Sequence, residues 1–394
     1  MGELRALALS DVHVVLPNDI DDPTAPSGGN VYDRRICRGL ATQGWSVREH
    51  AIHGAWPRPG RSEQIKLAHV LASLPDNAVV LLDGLVAAPA PEVLTAQARR
   101  LRLVVLVHML LGDETVQMRH REGVALNAAS AIITTSFWTR RRLGELYALP
   151  AERVHVAVPG VDTAPLSPGS DAGTELLCVA TVTPQKGHDL LIAALARVAD
   201  RPWNCVCVGA LDRDPGFVDR LRQRTLAYGL AGRLHFPGPR TGPDLDARYA
   251  CADVLVLASR GETYGMVVTE ALARGIPVLA TAADGLPETL GRAPDGSRPG
   301  LLVEPDDPSA LAGALDRWLN DADLRQQLRR SARDRRITLT GWAVTSELVS
   351  DILQHALVPA VRSCGQSRIG RVARTPTDRL ATEITVESLR TGCG

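Results

Sequence analysis

The sequence predicts an α/β protein of two doubly wound domains, each a parallel sheet covered by helices on both faces. The chain has 394 residues, which exceeds the size at which a single core usually stops growing. Apolar runs of strand length alternate with segments of helical period, as in parallel sheets. The pattern ends and restarts around the Pro- and Gly-rich segment 164–173. Because ligands of such domains bind beyond the carboxyl ends of the strands, two facing domains would form a cleft.

The first half contains six apolar segments that we interpret as strands. They cover residues 4–12, 45–51, 78–82, 103–108, 131–134 and 154–158, and the amphipathic segments between them include 32–42, 63–74, 91–100 and 138–147. This half, residues 1–167, is predicted to be one Rossmann-like domain.

The second half repeats the pattern over residues 168–342. Its predicted strands are 175–180, 204–208, 234–236, 254–257, 277–280 and 301–303, with helices near 188–199, 217–228, 270–274 and 309–320. A last amphipathic helix is predicted at 342–357. From residue 358 to 394 no period is sustained and Arg, Ser, Thr and Gly are frequent, so we expect a disordered or peripheral tail.

The composition excludes several classes of protein. Lys and Arg together number 44, as do Asp and Glu, and this zero net charge argues against a dedicated nucleic-acid binder. The seven cysteines form no C-x-x-C pair, so neither a zinc ribbon nor a redox motif is indicated. With no signal-peptide pattern and no window of about 18 apolar residues, a cytoplasmic protein is expected.

The most informative segment is 252–278, ADVLVLASRGETYGMVVTEALARGIPV. An apolar strand is followed by a loop with Glu262, then by Gly265 and a helix that contains Glu270. The free amides at the start of that helix suit an anion such as a diphosphate. Carboxylates repel an anion, so a pair of them beside one needs another ligand group. Because a carboxylate can accept hydrogen bonds from hydroxyl groups, the pair indicates a sugar ligand.

A second segment, LCVATVTPQKGHD at 177–189, contains Lys186, one of only two lysines in the chain. It lies after a strand and before a helix, where an ammonium group can neutralise a departing diphosphate. A third segment has Gly28 and Gly29 between the first strand and a helix, so that the backbone can approach a phosphate or an acceptor. His108 ends the fourth strand, where cleft residues are expected.

These segments resemble the retaining glycosyltransferases of family 4, which have the GT-B fold. The segment with Glu262 and Glu270 resembles the family's E-x7-E element, and ADGLPETL at 283–290 resembles its G-G-x-x-E segment. The usual G-R-x-x-x-x-K-G pattern around the lysine is broken, because Ala180 and Thr181 stand in its first two positions. The resemblance covers about residues 5–357.

The resemblance implies transfer of a hexosyl group from a nucleoside-diphosphate sugar to an acceptor hydroxyl with retention, without metal ion or cofactor. Lys186, Glu262 and His108 would be catalytic, with Glu270 on the ribose hydroxyls, and the acceptor would be a small molecule, a glycan or a lipid-linked molecule. The other implied donor contacts are Gly28, Gly29, Thr181, Gly238, Arg260, Tyr264, Gly265, Met266 and Val267, and the implied acceptor contacts are Asn30, Ser136 and Arg140. We expect Arg260 to replace the missing arginine, and the helix 342–357 to cross back onto the first domain.

Two other functions remain open at this point. A nucleotide-sugar epimerase of the same fold would consume donor without acceptor, and a non-catalytic subunit would bind donor without turnover. Asp19-Ile-Asp21 and Asp212-Arg-Asp214 match a D-x-D metal motif but do not follow strands as required, so no metal is expected. The arginine clusters at 34–38 and 140–142 are better explained as solvated helix faces than as a membrane-docking surface.

Overall fold

The computed structural model describes residues 10–357. It contains two six-stranded sheets, and every strand pair in each is parallel. Parallel pairing requires long crossovers, and here helices supply them. The tail at 358–394 and the first residues of the predicted strand 4–12 lie outside the described range. The GT-B architecture predicted from the sequence is the one observed.

The first sheet has the strand order β2-β1-β3-β4-β5-β6. Its strands are β1 (Asp11–Pro17), β2 (Ser46–Ile52), β3 (Val79–Asp83), β4 (Arg102–Val107), β5 (Ala131–Thr134) and β6 (Val154–Val156). The helices of this half are α1 (Gly28–Thr42), α2 (Arg61–Ser73), α3 (Gly84–Ala87), α4 (Pro91–Gln97), α5 (Val116–Ala128) and α6 (Phe137–Tyr147).

The first strand is the clearest correction to the predicted elements. It covers Asp11–Pro17 and so continues beyond the end predicted at residue 12, and its residues Val12, Val14, Val15 and Leu16 are all buried. His13 interrupts this apolar run and is nevertheless buried, with its Nδ1 3.0 Å from His50 Nε2 on the neighbouring strand. His13 is polar and its partner lies 37 positions away in the sequence. The pattern of hydrophobic residues alone therefore does not predict the part of this strand after residue 12.

The second sheet has the order β12-β11-β10-β7-β8-β9. Its strands are β7 (Glu175–Val179), β8 (Asn204–Val208), β9 (Leu234–Gly238), β10 (Val254–Leu257), β11 (Val278–Thr281) and β12 (Gly300–Val303). The helices are α7 (His188–Arg197), α8 (Pro215–Ala227), α9 (Gly242–Ala250), α10 (Met266–Ala273), α11 (Leu286–Leu290), α12 (Pro308–Asn320) and α13 (Ala322–Arg336).

Two of the helices that the sequence patterns do not predict, α5 and α13, are strongly polar. The fifteen residues of α13 bury only Arg325, Leu328, Ser331 and Ala332. Arg325 is held there by hydrogen bonds to the carbonyl oxygens of Trp318 and Leu319 at 2.9 and 3.0 Å. Tertiary contacts, more than an apolar stripe, therefore specify this helix.

The last described helix, α14 (Trp342–Leu357), packs on the first sheet although it follows the second in sequence. Its Val349 and Leu353 are fully buried in the cluster formed by β1, β3, β4 and α1. Trp45 Nε1 donates to Ser350 Oγ at 2.8 Å, and Thr345 Oγ1 donates to Val158 O at 2.8 Å. The other face of the sheet packs against α2 to α6 through a separate apolar cluster.

Candidate functional site

A cavity of about 640 Å³ lies between the two sheets and is lined by residues from both halves. Its wall is formed where β4 and β7 end and where the loops after them begin. None of the helices among residues 10–357 has the length and apolar character that a membrane span requires. The cavity is the place where cleft residues predicted from the two halves can meet.

Lys186 lies on this wall at the end of a short 3-10 turn, Pro184–Lys186. The next residue, Gly187, has φ of +64°, and a Cβ there would lie 1.9 Å from Ala258 O. Only glycine fits so close to a neighbouring backbone with that dihedral. This turn directs the lysine to Glu262, with which its ammonium group forms an ion pair.

Glu262 is held in the loop between β10 and α10. Its backbone N–H donates to Asp284 Oδ2 at 3.0 Å, and its carbonyl accepts from Gly285 N at 2.8 Å. Gly265, with φ of +86°, then turns the chain into α10. Val268 N donates to Gly265 O at the start of that helix, so the amides of Met266 and Val267 precede this bond at the cavity wall.

Glu270 also lines the cavity, one turn further along α10. Its carboxylate accepts a hydrogen bond from Tyr249 Oη at 2.7 Å. Burial raises the pKa of Glu270, while the Tyr249 bond and the Arg274 charge act in the opposite direction. The two glutamates are therefore anchored differently, Glu262 by a cation and Glu270 by a neutral hydroxyl.

His108 belongs to a buried group with two carboxyl groups brought from distant parts of the first domain. His108 Nε2 lies 2.7 Å from Oδ1 of Asp33 on α1, and Asp83 ends β3 beside them. Oδ2 of Asp33 and Oδ2 of Asp83 are both buried, and neither has a hydrogen-bond partner among the described residues. Since a carboxylate oxygen only accepts, one proton between the two carboxyl groups would satisfy both.

The electrostatics of this group agree with proton sharing. Burial raises the pKa of Asp33 to about 7, against a hydrogen bond from Asp83 that lowers it. Burial, followed by the charge of Asp33, raises the pKa of Asp83 well above its usual value. Burial lowers the pKa of His108 in spite of the nearby Asp83. A neutral imidazole that donates from Nε2 to Asp33 leaves Nδ1 as an acceptor.

Three contacts join the halves beside the cavity. The carboxylate of Glu288 accepts from the amides of Phe137 and Trp138, at 2.8 and 2.9 Å, at the amino end of α6. This end carries a partial positive charge, so a carboxylate stabilises it. Thr263 Oγ1 donates to His108 O at 2.5 Å, and Tyr264 Oη donates to Pro159 O at 3.4 Å.

The structure brings together most of the residues predicted for catalysis and donor binding. Those that line the cavity are Gly28, Gly29, His108, Thr181, Lys186, Glu262, Tyr264, Gly265, Met266, Val267 and Glu270. The lining does not include Gly238, which ends β9.

Arg260 corrects a further expectation, because it is not part of the lining either. Its guanidinium donates to both oxygens of Asp189, at 2.9 and 2.8 Å, and to Asp306 at 2.7 Å. An arginine that pairs with two carboxylates outside the cavity is not placed to contact a ligand in it. The arginine that does line the cavity is Arg240, which follows β9.

The three residues predicted to bind the acceptor are also placed elsewhere. Ser136 is fully buried as the N-cap of α6, where its Oγ accepts from Thr139 N at 3.0 Å. Asn30 donates to Asp19 O at 3.1 Å, and Arg140 lies exposed on α6 near Ala151 O. Hydrogen bonds within helix caps and loops, which depend on the local turn, satisfy these polar groups.

The residues that sequence reasoning missed are Asp284, Asp113, Trp138, Glu288 and the Asp33–Asp83 pair. Asp284 and Glu288 lie inside the segment 283–290, whose resemblance to a family element is visible in the sequence. Asp83 carries a usable signal, since it ends the fully apolar run VVLL. Asp33 sits mid-helix among polar residues and has no such signal.

Ligand-type side chains also group in two places among the described residues. Cys178, His188 and Cys207 lie together in the core of the second domain, all at most 1% exposed, and the other group is Asp33, Asp83 and His108. The acidic D-x-D residues have structural partners instead. Asp19 pairs with Arg213 at 3.2 Å, Asp21 pairs with Arg34, and Asp214 caps α8 through Phe217 N at 2.8 Å.

Comparison with known proteins agrees with this architecture. Residues 169–335 match the family model for glycosyl transferases group 1. The chain is 32% identical over 244 residues to a D-inositol 3-phosphate glycosyltransferase of Jonesia denitrificans, covering 57% of this chain and 54% of the relative. It is 30% identical over 307 residues to the protein of the same name from Corynebacterium kroppenstedtii, covering 71% of this chain and 65% of the relative. The matches thus span between half and two thirds of these relatives.

Solved structures share the fold at low identity. Sucrose-phosphate synthase from Thermosynechococcus elongatus superposes with a TM-score of 0.72 at 21% identity, covering 88% of this chain and 98% of the other. The Anabaena protein HepE, solved with UDP and glucose, gives a TM-score of 0.68 at 20% identity, covering 88% and 100%. Both matches extend over most of this chain, and therefore over both of its sheets. The match to the family model thus covers the second domain of this chain, and the curated relatives named above are similar to parts of it.

Proposed function

We propose that this chain transfers a hexosyl group from a nucleoside-diphosphate sugar to an acceptor hydroxyl, with retention of the anomeric configuration and without a metal ion. One observation carries the proposal. The Lys186–Glu262 ion pair and the free amides at the start of α10 line the same cavity. A diphosphate would take over the lysine from Glu262 and accept from Met266 and Val267 N–H.

The remaining polar groups of the cavity suit a sugar nucleotide. Glu262, once released from Lys186, can accept from donor-sugar hydroxyls, and Glu270 from the ribose. Lys186 and Arg240 are the two cations among the described residues that line the cavity. They match the two phosphates of the donor, with Arg240 in the role first expected of Arg260.

The reaction needs no protein nucleophile. The bond between the anomeric carbon and the phosphate oxygen breaks, and the acceptor oxygen bonds to that carbon on the same face. The acceptor proton passes to the departing phosphate oxygen, which leaves a nucleoside diphosphate and a glycoside. Lys186 and the α10 amides stabilise the charge that builds on the diphosphate.

A nucleotide-binding assay tests the proposal directly. UDP, GDP, ADP and TDP are added to the protein, and its melting temperature is measured. At least one should raise it, since a ligand at 100 times its Kd stabilises by about 2.7 kcal/mol. Lys186→Ala should lose this shift, while the matched control Lys66→Ala, an exposed lysine on α2, should keep it. Absence of a shift with all four nucleotides would overturn the proposal.

Turnover separates transfer from its alternatives. Lys186→Ala should lower turnover by about 10²–10³-fold, the effect of removing one donor to a developing oxyanion. Donor consumption that is equally fast without any acceptor would indicate an epimerase. Tight donor binding with neither transfer nor slow hydrolysis would indicate a non-catalytic subunit.

A further inference from the structure

We propose that Asp33 and Asp83 are positioning residues, which together hold His108 as the neutral tautomer whose Nδ1 accepts a hydrogen bond from a hydroxyl group of the donor sugar. This inference rests on the proposed function, because it concerns the ligand of the same cavity. His108 lines that cavity, whereas the two carboxyl groups lie behind it and are not part of the lining. They would therefore act on the ligand only through the imidazole.

The two ring nitrogens of His108 have different surroundings. Nε2 lies 2.7 Å from Oδ1 of Asp33, whose side chain is buried. Nδ1 has no hydrogen-bond partner among residues 10–357 and is not one of the buried atoms that lack a partner, so it is accessible. The hydrogen bond that one ring nitrogen makes decides which nitrogen carries the proton. A proton on Nε2 leaves Nδ1 as an acceptor at the cavity wall.

Packing holds the imidazole ring in this orientation. Tyr32 meets it edge to face with the ring centroids 5.2 Å apart, and Tyr32 Oη is itself fixed by donating to Ala157 O at 2.9 Å. The first turn of α1 contacts the ring as well, because a Cβ added to Gly29 would lie 3.3 Å from Cδ2 of His108. The ring therefore has little space in which to turn, and Asp33 is placed to select its tautomer.

The second carboxyl group explains how the imidazole stays neutral beside an acid. Ligand atoms of Asp33, Asp83 and His108 all lie within 4.8 Å of one another. Asp83 Oδ1 accepts from Leu85 N at 2.6 Å, and one proton shared between the two Oδ2 atoms gives the pair a single negative charge. Asp33 Oδ1 can still accept from Nε2–H in that state. A pair with one charge favours an imidazolium less than a pair with two charges would.

His108 lies next to the loop that would hold the donor. Thr263 Oγ1 donates to His108 O at 2.5 Å, which joins the end of β4 to the residue after Glu262. A sugar attached to a diphosphate at the start of α10 would thus have the Glu262 carboxylate and the His108 Nδ1 beside it. Both groups accept hydrogen bonds, and sugar hydroxyl groups donate them.

A pH dependence follows from the same arrangement. Burial raises the pKa of Asp33 to about 7, so above this pH the pair carries two negative charges. The second charge repels the diphosphate of the donor and the other carboxylate. We therefore expect donor affinity to fall as pH rises through 7.

The other ionisable groups near the pair do not provide this titration. Arg34 is paired with Asp21 and Glu49 on the outer side of α1. Burial raises the pKa of Cys37 to about 12 and raises that of Tyr32 well above its usual value, so both stay neutral. Across the cavity, Lys186 and Glu262 form their own ion pair.

Nuclear magnetic resonance of protein labelled with ¹⁵N in histidine reads the tautomer directly. The His108 signals are assigned by their loss in His108→Gln. The wild type should show only the Nε2–H tautomer of this ring, Asp33→Ala should show a mixture, and Asp33→Asn should restore the single tautomer because its Oδ1 can accept. Asp76→Asn, which changes an exposed carboxyl group outside the lining, is the control. A single Nε2–H tautomer in Asp33→Ala overturns the inference.

Binding calorimetry tests the consequence for the ligand. The nucleoside diphosphate chosen by the melting assay is compared with its glucose, galactose and mannose conjugates, and the ratio of the two affinities is taken for the conjugate that binds most tightly. Asp33→Ala should lower this ratio by about 5-fold, the effect of one hydrogen bond, while the affinity for the nucleotide alone stays within about 2-fold. Asp33→Asn should recover the ratio. A ratio that Asp33→Ala leaves unchanged contradicts the positioning role.

The pH arm decides the question even if Asp33→Ala fails to fold. From pH 6 to pH 8 the affinity of the wild type for the conjugate should fall by about 3-fold, and that of Asp33→Asn should stay constant, since the variant has no proton to lose at this position. Parallel falls in the two proteins overturn the inference. If no nucleoside diphosphate binds at all, the proposed function fails, and the tautomer of His108 still shows whether Asp33 positions it.

Discussion

Replacing Asp33 by Asn should remove a pH dependence of stability that the buried carboxyl pair creates. Asp33 is 2% exposed, and its pKa is raised from 3.8 to about 7 by burial. An acid with a higher pKa in the folded chain binds more protons when folded. The part of the free energy of unfolding that protonated Asp33 contributes is therefore fully present below pH 4 and is lost as pH rises towards 7.

The size of the effect follows from the pKa values. A difference between 3.8 in the unfolded chain and about 7 in the folded chain corresponds to about 4 kcal/mol. The substituted asparagine imitates the protonated acid, since its Oδ1 can accept from His108 Nε2–H and its amide can donate to Asp83. The variant should thus gain about 4 kcal/mol relative to the wild type between pH 4 and pH 7.

Calorimetric melting at pH 4, 5, 6, 7 and 8 measures this gain. For domains of 150–250 residues, 1 kcal/mol moves the melting temperature by about 2–4 °C, so the difference should grow by about 8–16 °C and stop growing above pH 7. His108 has a lowered pKa and therefore destabilises the fold as pH falls below 6.5 in both proteins.

The control is Asp76→Asn, which replaces an exposed carboxyl in the loop before β3, the strand that Asp83 ends. It should follow the wild type at every pH. If the Asp33→Asn curve also runs parallel to the wild type, the two carboxyl groups do not share a proton and the account of His108 is wrong.

Four other substitutions have expected outcomes. Glu288→Gln should weaken the contact between the halves at α6, seen as a larger radius of gyration by X-ray scattering and a KM for donor raised several-fold; an unchanged radius contradicts this. Arg240→Ala should lower nucleotide affinity by at least 10-fold, whereas Arg260→Ala should leave it within about 2-fold and reduce stability by about 1 kcal/mol; the reverse order would restore the first expectation. Gly187→Ala places a Cβ 1.9 Å from Ala258 O at a positive φ, so it should lower the melting temperature and abolish nucleotide binding; a native-like melting curve would show that the turn adapts.

Most of the strands and the cavity residues Glu262, Gly265 and Glu270 could be predicted from the sequence because local patterns specify them. The strand β10 is a run of four apolar residues, and Glu262, Gly265 and Glu270 follow it within a single loop and helix. Backbone dihedrals, helix ends and alternation of burial depend on neighbours a few residues away. The spacing alone therefore placed these groups at one helix end.

Only the tertiary structure decided which polar side chains face the cavity. Arg260 turns to Asp189, 71 residues away in sequence, and the Asp33–Asp83–His108 group joins three separate elements. Whether a buried polar group meets a partner depends on contacts that have no local signature, and an unpartnered one costs too much to leave in place. The sequence by itself determined the architecture and the loop with Glu262, and long-range packing selected the polar side chains around the rest of the cavity.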